Sequence, residues 1–210
     1  MGSELSVSEI PSQGSIQIKA EAWSDNWFAF YLGDELVVED SVSITTERSF
    51  NAESFIFNAD FPLQLNFVLK DFKENDSGLE YIGARNQQMG DGSFIVQFVD
   101  VVSDELVAYS NDSWKCLVIH DAPLDKSCEN SDNPIAGEGA CNFISIDEPV
   151  GWKSTNFDDS NWPNAIQHSA AAIDPKGGYD QIDWQSEPEL IWSADLETHN
   201  TLLCRATISQ

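Results

Sequence analysis

The sequence predicts an all-β protein, a two-sheet antiparallel β-sandwich with long loop insertions. Three observations lead there. Apolar and polar residues alternate with period two in several separate runs. Clusters of turn-forming residues divide those runs at fairly regular intervals, as sandwiches require. No amphipathic pattern supports a helix of more than about three turns. The 210 residues suit one such sandwich and are enough to bury a core. Aromatic residues make up 11% of the chain, with seven Trp and twelve Phe, a load that a disordered chain does not carry.

The strands follow in order. Ile16, Ile18, Ala20 and Ala22 alternate with Gln17, Lys19 and Glu21. Phe28, Phe30 and Leu32 alternate next, and Gly33-Asp34 then forms a hairpin signal leading into Leu36-Val37-Val38. Phe55 and Phe57 belong to a further strand, as do Leu63, Leu65, Phe67 and Leu69. Phe94, Val96 and Phe98 follow, and Leu202, Cys204, Ala206 and Ile208 close the series. Asn161 through His168 reads as one short turn of helix, with Pro163 tolerated near its start. Three stretches break the alternation: 74–92, 121–148 and 170–188. Long ordered loops in compact domains are usually functional or crosslinked. Met1-Gly2-Ser3 has the look of a cloning remnant. Residues 1–13 are therefore expected to be disordered or vector-derived, and 14–210 to form a single domain with a cysteine-containing insertion at about 121–148.

Ten Lys and Arg stand against 36 Asp and Glu, for a formal charge of −26. Nucleic acid is excluded as a partner, because binding a phosphate backbone needs clustered cations. An anionic membrane surface is disfavoured for the same reason, and no apolar run of about 18 residues offers a membrane span. None of the four cysteines forms a Cys-x-x-Cys pair, so a zinc or redox motif is unsupported. Two disulfides and an oxidising, extracellular or cell-surface location fit better. Three pairings exist. Cys116 alternates with Trp114 and Val118, and Cys204 with Leu202 and Ala206, so both point inward from strands, while Cys128 and Cys141 flank a loop. Cys116–Cys204 and Cys128–Cys141 are favoured on that ground.

Four pieces in this order carry a family resemblance. The first is Asp25-Asn26 leading into Phe28, Tyr31 and Gly33. The second runs from Leu65–Leu69 through Gly78 or Gly92 to Phe94–Phe98. The third is Asp112-Ser113-Trp114-Lys115, and the last is the polar turn Phe157-Asp158-Asp159-Ser160-Asn161-Trp162. Together they resemble the galactose-binding-like jelly-roll domains that accompany bacterial glycoside hydrolases such as rhamnosidases and β-galactosidases. The resemblance implies a jelly-roll topology and a role in sugar binding, calcium binding or scaffolding. The cysteine-bearing insertion between Trp114 and Trp152 and the tail from Ala170 to Asp195 have no counterpart in that family.

Trp114, Trp152 and Trp162 are expected as core packing residues. Trp23, Trp27, Tyr179 and Trp184 sit nearer to turns, where exposed aromatic faces stack on sugar rings. Asp25, Asn26 and Arg85 would hydrogen bond to sugar hydroxyls beside them. Acidic clusters offer oxygen ligands for a structural calcium ion at Asp158 and Asp159, and at Asp76 and Glu80 with Asp91 nearby. Asp25 and Asn26 offer the same choice, although a turn-capping role competes for them. His120, His168 and His199 are scattered, as isolated histidines are. Neither a Gly-x-Ser-x-Gly elbow nor a phosphate loop occurs. The expected function is a non-catalytic, secreted or cell-surface carbohydrate-binding module whose partner is a carbohydrate or glycoprotein surface. It is compatible with being one part of a larger multidomain protein. The alternative is a structural or adhesive ectodomain with a protein partner, and a hydrolase comes last.

Overall fold

A computed structural model describes residues 5–45 and 50–210. They form an all-β sandwich of two packed sheets. The first sheet contains β1 (Val7–Glu9), β2 (Ile16–Asp25), β5 (Ala52–Ala59), β9 (Ser93–Asp100), β10 (Leu106–Tyr109), β13 (Ile166–His168) and β14 (Leu190–Trp192). Its order is β1-β5-β2-β9-β14-β13, and β10 also pairs with β9. The second contains β3 (Trp27–Leu32), β4 (Glu35–Glu39), β6 (Leu63–Lys70), β11 (Lys115–Asp121), β12 (Ile144–Ser145) and β15 (His199–Ile208), in the order β12-β11-β15-β6-β3-β4. A small ribbon pairs β7 (Leu79–Glu80) with β8 (Gln88–Met89). Pairing is antiparallel except between β1 and β5. Residues 7–9, within the segment 1–13 expected to be disordered or vector-derived, form an edge strand; residues 1–4 lie outside the described residues.

Period-two alternation sets which side chains meet between the sheets. Ile18, Ala20 and Ala22 of β2, Phe55 and Phe57 of β5, and Phe94, Val96 and Phe98 of β9 face Phe28, Phe30, Leu65, Phe67 and Leu69 of the second sheet. Rings cross the gap: Phe67 lies 4.9 Å from Phe94, and Phe30 lies 5.5 Å from Phe98. The hairpin between β3 and β4 turns on Gly33, whose φ of +58° a side chain would resist. Cys116 and Cys204 are directly opposed on β11 and β15, inside the core, and are bonded to each other. Cys128 and Cys141 staple the insertion and pack with Leu79 on the ribbon.

Two further apolar layers lie outside the sandwich, and the three tryptophans expected to pack are all buried, in two different layers. Trp114 is buried between the sheets, but Trp152 and Trp162 are buried on the outer face of the second sheet with Ala29, Val68 and Leu203. The stretch 161–168 is not a turn of helix: Lys115 bridges to Asn164, and Ile166–His168 is β13. The outer face of the first sheet carries Trp23, Ile95, Ile173 and Leu190 under Tyr179 and Trp184. The irregular tail is thus the cover of that face. Arg205, 2% exposed on β15, clamps the polar turn to the second sheet. Its guanidinium donates to Asn66 Oδ1 (3.2 Å), to Ser154 O (2.7 Å) and to the Asp159 carboxylate, and lies over the Phe157 ring.

Arg205 is buried while Asp159 is 30% exposed and rehydrates when the pair is broken, so the loss falls on the hydrogen bonds to Asn66 and Ser154. Arg205→Ala is expected to lower the unfolding free energy by about 2 kcal/mol, read as a midpoint shift in guanidinium unfolding. Arg205→Lys should recover only part of it, because the forked contacts are lost. The disulfides should differ as well. Their sequence separations are 88 and 13 residues. In the chain-entropy picture, replacing Cys116 and Cys204 by Ala costs about 4.5 kcal/mol, against about 3 kcal/mol for Cys128 and Cys141. Equal losses would contradict that assignment.

Candidate functional site

The chain leaves β2 at Asp25 and enters β3 at Trp27, so Asn26 is the link between the two sheets. Its backbone N–H donates to Lys70 O (3.1 Å), and its side-chain oxygen accepts from the Phe72 N–H. The Asp71 N–H donates to Asn200 O at 2.9 Å. These bonds fix the exit of β6 on both sides and turn Asp71 towards Asp25. The third arm is the loop before β9. Gly90 passes so close to Asp71 that an added Cβ would sit 1.7 Å from Asp71 Oδ2. Any side chain at position 90 would fill the space that the carboxylate occupies.

Asp25, Asp71 and Asp91 therefore converge, with one carboxylate oxygen of each within 4.8 Å of the others. Asp25 and Asp71 are each only 2% exposed. Asp25 Oδ1 and both oxygens of Asp71 are buried without a hydrogen-bond partner. Ser93, in register with Asp25, holds a buried hydroxyl that also has none. Buried polar groups without partners are rare in folded proteins and ask for a missing one. Lys176 supplies a cation on the outer side only, 3.0 Å from Asp91 Oδ2.

The electrostatics follow. Burial, then the charge of Asp91, pushes the Asp25 carboxyl up to about 8, with Glu80 adding to the rise and Lys176 opposing it. Burial, then Asp25, Glu80 and Asp91, raises Asp71 well above the carboxylate range. Two buried acids raised together demand protons or a cation. The donor set is oxygen alone, which suits a hard cation and not zinc. Calcium–oxygen distances of about 2.3–2.6 Å allow two ligands of one ion to stand up to roughly 5 Å apart, which matches the spread of the three oxygens. Asp25, Asp71 and Asp91 would hold such an ion and bind the two sheets together at this end of the sandwich.

Asp71 also contributes to the wall of an open cleft of about 650 Å³ on the outer face of the second sheet. Strand register builds its floor. Trp27 opposes Lys70, Lys70 opposes Thr201, Thr201 opposes His120, and His120 opposes Ser145. Phe72 and Ile119 add apolar surface, while Thr45, Lys73 and Asp76 add polar groups. Burial first, then the Lys73 charge, pushes His120 below its ordinary value. Its Nδ1 lies 2.9 Å from Asn200 Oδ1 and its Nε2 3.4 Å from Asp76 Oδ1.

The residues expected to bind sugar do not form one exposed site: Trp23, Tyr179 and Trp184 cluster as packing on the outer face of the first sheet, away from the others. Trp23 is fully buried and donates its indole N–H to Lys176 O, so it presents no face to a ligand. Tyr179 packs edge-on against Trp23 at 5.6 Å and Trp184 packs on Tyr179, both half-buried as cover of the first sheet. Asp25 and Asn26 are buried, beyond the reach of a surface sugar. Arg85 is exposed in the turn between β7 and β8 and does not line the cleft. Trp27 is half-buried at the end of the cleft-floor row, under the Lys70 ammonium.

The expected metal ligands are also redistributed. Asp159 is taken by Arg205. Asp158 is exposed and accepts from the Ser160 N–H, as turn aspartates do. Asp76 is bound to Lys73 at 2.6 Å. Glu80 is buried beside the three aspartates and accepts from Gln88 Nε2. Asp71 was not singled out by sequence reasoning. Its one signal is an aspartate directly after an apolar strand, a common pattern. Comparison with protein-family models, with curated proteins and with solved structures finds no match, so the functional reading rests on the residues themselves.

A pH dependence follows. The Asp25 carboxyl holds its proton to about pH 8 in the folded state, against an ordinary value of 3.8. Between those values the folded state binds more protons than the unfolded chain, so cation-free stability falls as pH rises. Asp40, pushed up to about 7 by burial against hydrogen bonds from Val42 and Asn51, acts in the same direction. The informative comparison is therefore with Asp25→Asn. In chelator, the wild-type melting temperature should fall more steeply between about pH 5 and pH 8 than that of Asp25→Asn, and saturating calcium should remove the excess. Identical slopes with and without calcium would contradict the assignment.

Proposed function

We propose that this chain is a non-catalytic carbohydrate-binding module of an oxidising compartment, with calcium at Asp25, Asp71 and Asp91 holding its binding cleft in shape. One observation carries the reading. Asp71, whose buried carboxylate oxygens lack partners, stands at the head of the segment Phe72–Asp76 that forms one wall of a polar cleft. The cleft sets hydroxyl and charged groups beside the apolar Phe72 and Ile119. That mixture suits a pyranose, which has apolar ring faces and a hydroxyl rim. Two disulfides favour an extracellular setting. The likeness of the strand and turn motifs to galactose-binding-like domains points the same way.

A second reading has its own observation. Leu124, Ile135, Ile144, Ile146 and Val150 are all exposed on or beside the stapled insertion, which favours a protein partner there. Hydrogen-exchange protection of 124–150 on complex formation would mark that surface.

The test is a glycan array, followed by calorimetry on any hit, in calcium and in chelator. The reading predicts an oligosaccharide ligand whose affinity falls at least about tenfold on chelation and on Asp71→Asn. Absence of glycan binding under both conditions would remove it.

A further inference from the structure

The cations of this protein are few, and their placement is informative. Among the described residues, Lys19, Lys73, Lys126, Lys153, Lys176 and Arg205 each stand within ion-pair distance of a carboxylate. Lys115 is held by Asn164 Oδ1 and Trp162 O. Among the described residues, Lys70 and Arg85 have no carboxylate at ion-pair distance; Arg85 is exposed in the turn between β7 and β8, whereas the Lys70 ammonium lies over the Trp27 ring, 4.9 Å from the centroid. In a chain with a net charge of −26, this half-buried lysine in a concave site has no counter-ion among the described residues. The aromatic ring holds that charge in place, since a cation over an indole face is attracted to it.

The surroundings suit a charged, extended ligand. From Lys70 the register continues through Thr201 and His120 to Ser145 on one face, so hydroxyl groups follow the ammonium across the strands. From Lys70 to Ser145 the lining row crosses four strands, roughly 14 Å at the usual strand spacing. A neutral sugar gains little from an unpaired ammonium, whereas a carboxylate or sulfate gains a charge-assisted hydrogen bond. Of the nearby negative charges, Asp76 is neutralised by Lys73, and that of Asp25, Asp71 and Asp91 is the charge that a bound calcium offsets. Glu74 also lines the cleft; its Oε1 is turned to the Ile82 N–H, and the anionic group of the ligand has to sit at the Lys70 end, away from it.

We propose that the cleft takes an acidic oligosaccharide, bearing uronate or sulfate groups, and that Lys70, seated on Trp27, pairs with its anionic group. This rests on the carbohydrate reading above and names its ligand class. Calcium-loaded acceptance of an acidic sugar follows, because the cation-free carboxylates would repel it.

Calorimetry of the calcium-loaded protein against tetragalacturonate, a sulfated galactan oligosaccharide and unsulfated galactotetraose tests the proposal. One or both acidic probes should bind at least about tenfold more tightly than the neutral one, and which of them does so distinguishes uronate from sulfate. Lys70→Gln should abolish that preference, read as the ratio of acidic to neutral affinity within the variant, and Lys70→Arg should retain it. If neutral and acidic probes bind equally, or if Lys70→Gln keeps the preference, the inference is overturned while the carbohydrate reading stands. If no probe binds and the glycan array is also blank, both fall together.

Discussion

Like charges cannot share a dry space without a counter-charge. Asp25, Asp71 and Asp91 bring three carboxylates into a volume fit for one ion, and two of them are sealed from water. At about 4 Å and an effective dielectric constant near 20, each ionised pair costs about 4 kcal/mol. That is a large part of the roughly 5–15 kcal/mol by which a domain is stable. The cluster also joins the sheets: Asp25 ends β2 of one, Asp71 follows β6 of the other, and Asp91 lies just before β9. How its charge is neutralised decides how firmly that end of the sandwich is closed and how the cleft wall that begins at Asp71 is held.

The rest of the molecule supports this arrangement by packing. A phenylalanine layer fixes the distance between the sheets, and a disulfide inside that layer ties β11 to β15. Outside it, each sheet carries a second apolar cover. The 170–188 segment lies on the first sheet, while the turn around Trp162, clamped by Arg205, covers part of the second. The part of the second sheet left open is the cleft. Its floor is a row of registered residues, so it is rigid in the way a sheet is, and its wall is a loop whose position depends on the carboxylates behind it.

Much of the architecture was legible in the sequence because strand alternation is a local signal. The runs around Ile18, Phe67, Phe98 and Leu202 are strands with the expected faces inward. The parity of Cys116 and Cys204 gave their pairing. Trp23 shows where the signal stops. It lies on the outer face of β2, where alternation alone implies solvent, and only the later tail buries it. Its cross-strand neighbour Ile95, also outward and apolar, was the available hint of a further layer. The candidate site was less legible. Asp25, Asp71 and Asp91 are far apart in sequence, each looks like an ordinary acidic residue beside a strand or turn, and only strand order and register bring them together. Asp158 and Asp159 sit in a conspicuous motif, yet that motif serves a turn and its arginine clamp.

The most direct measurement is a crystal structure grown in calcium, with anomalous differences collected to locate the ion. The account predicts a single strong peak bonded to oxygens of Asp25, Asp71 and Asp91 at about 2.3–2.6 Å. A map without a peak there, showing Asp25 and Asp71 joined by a short hydrogen bond through a shared proton, would contradict it.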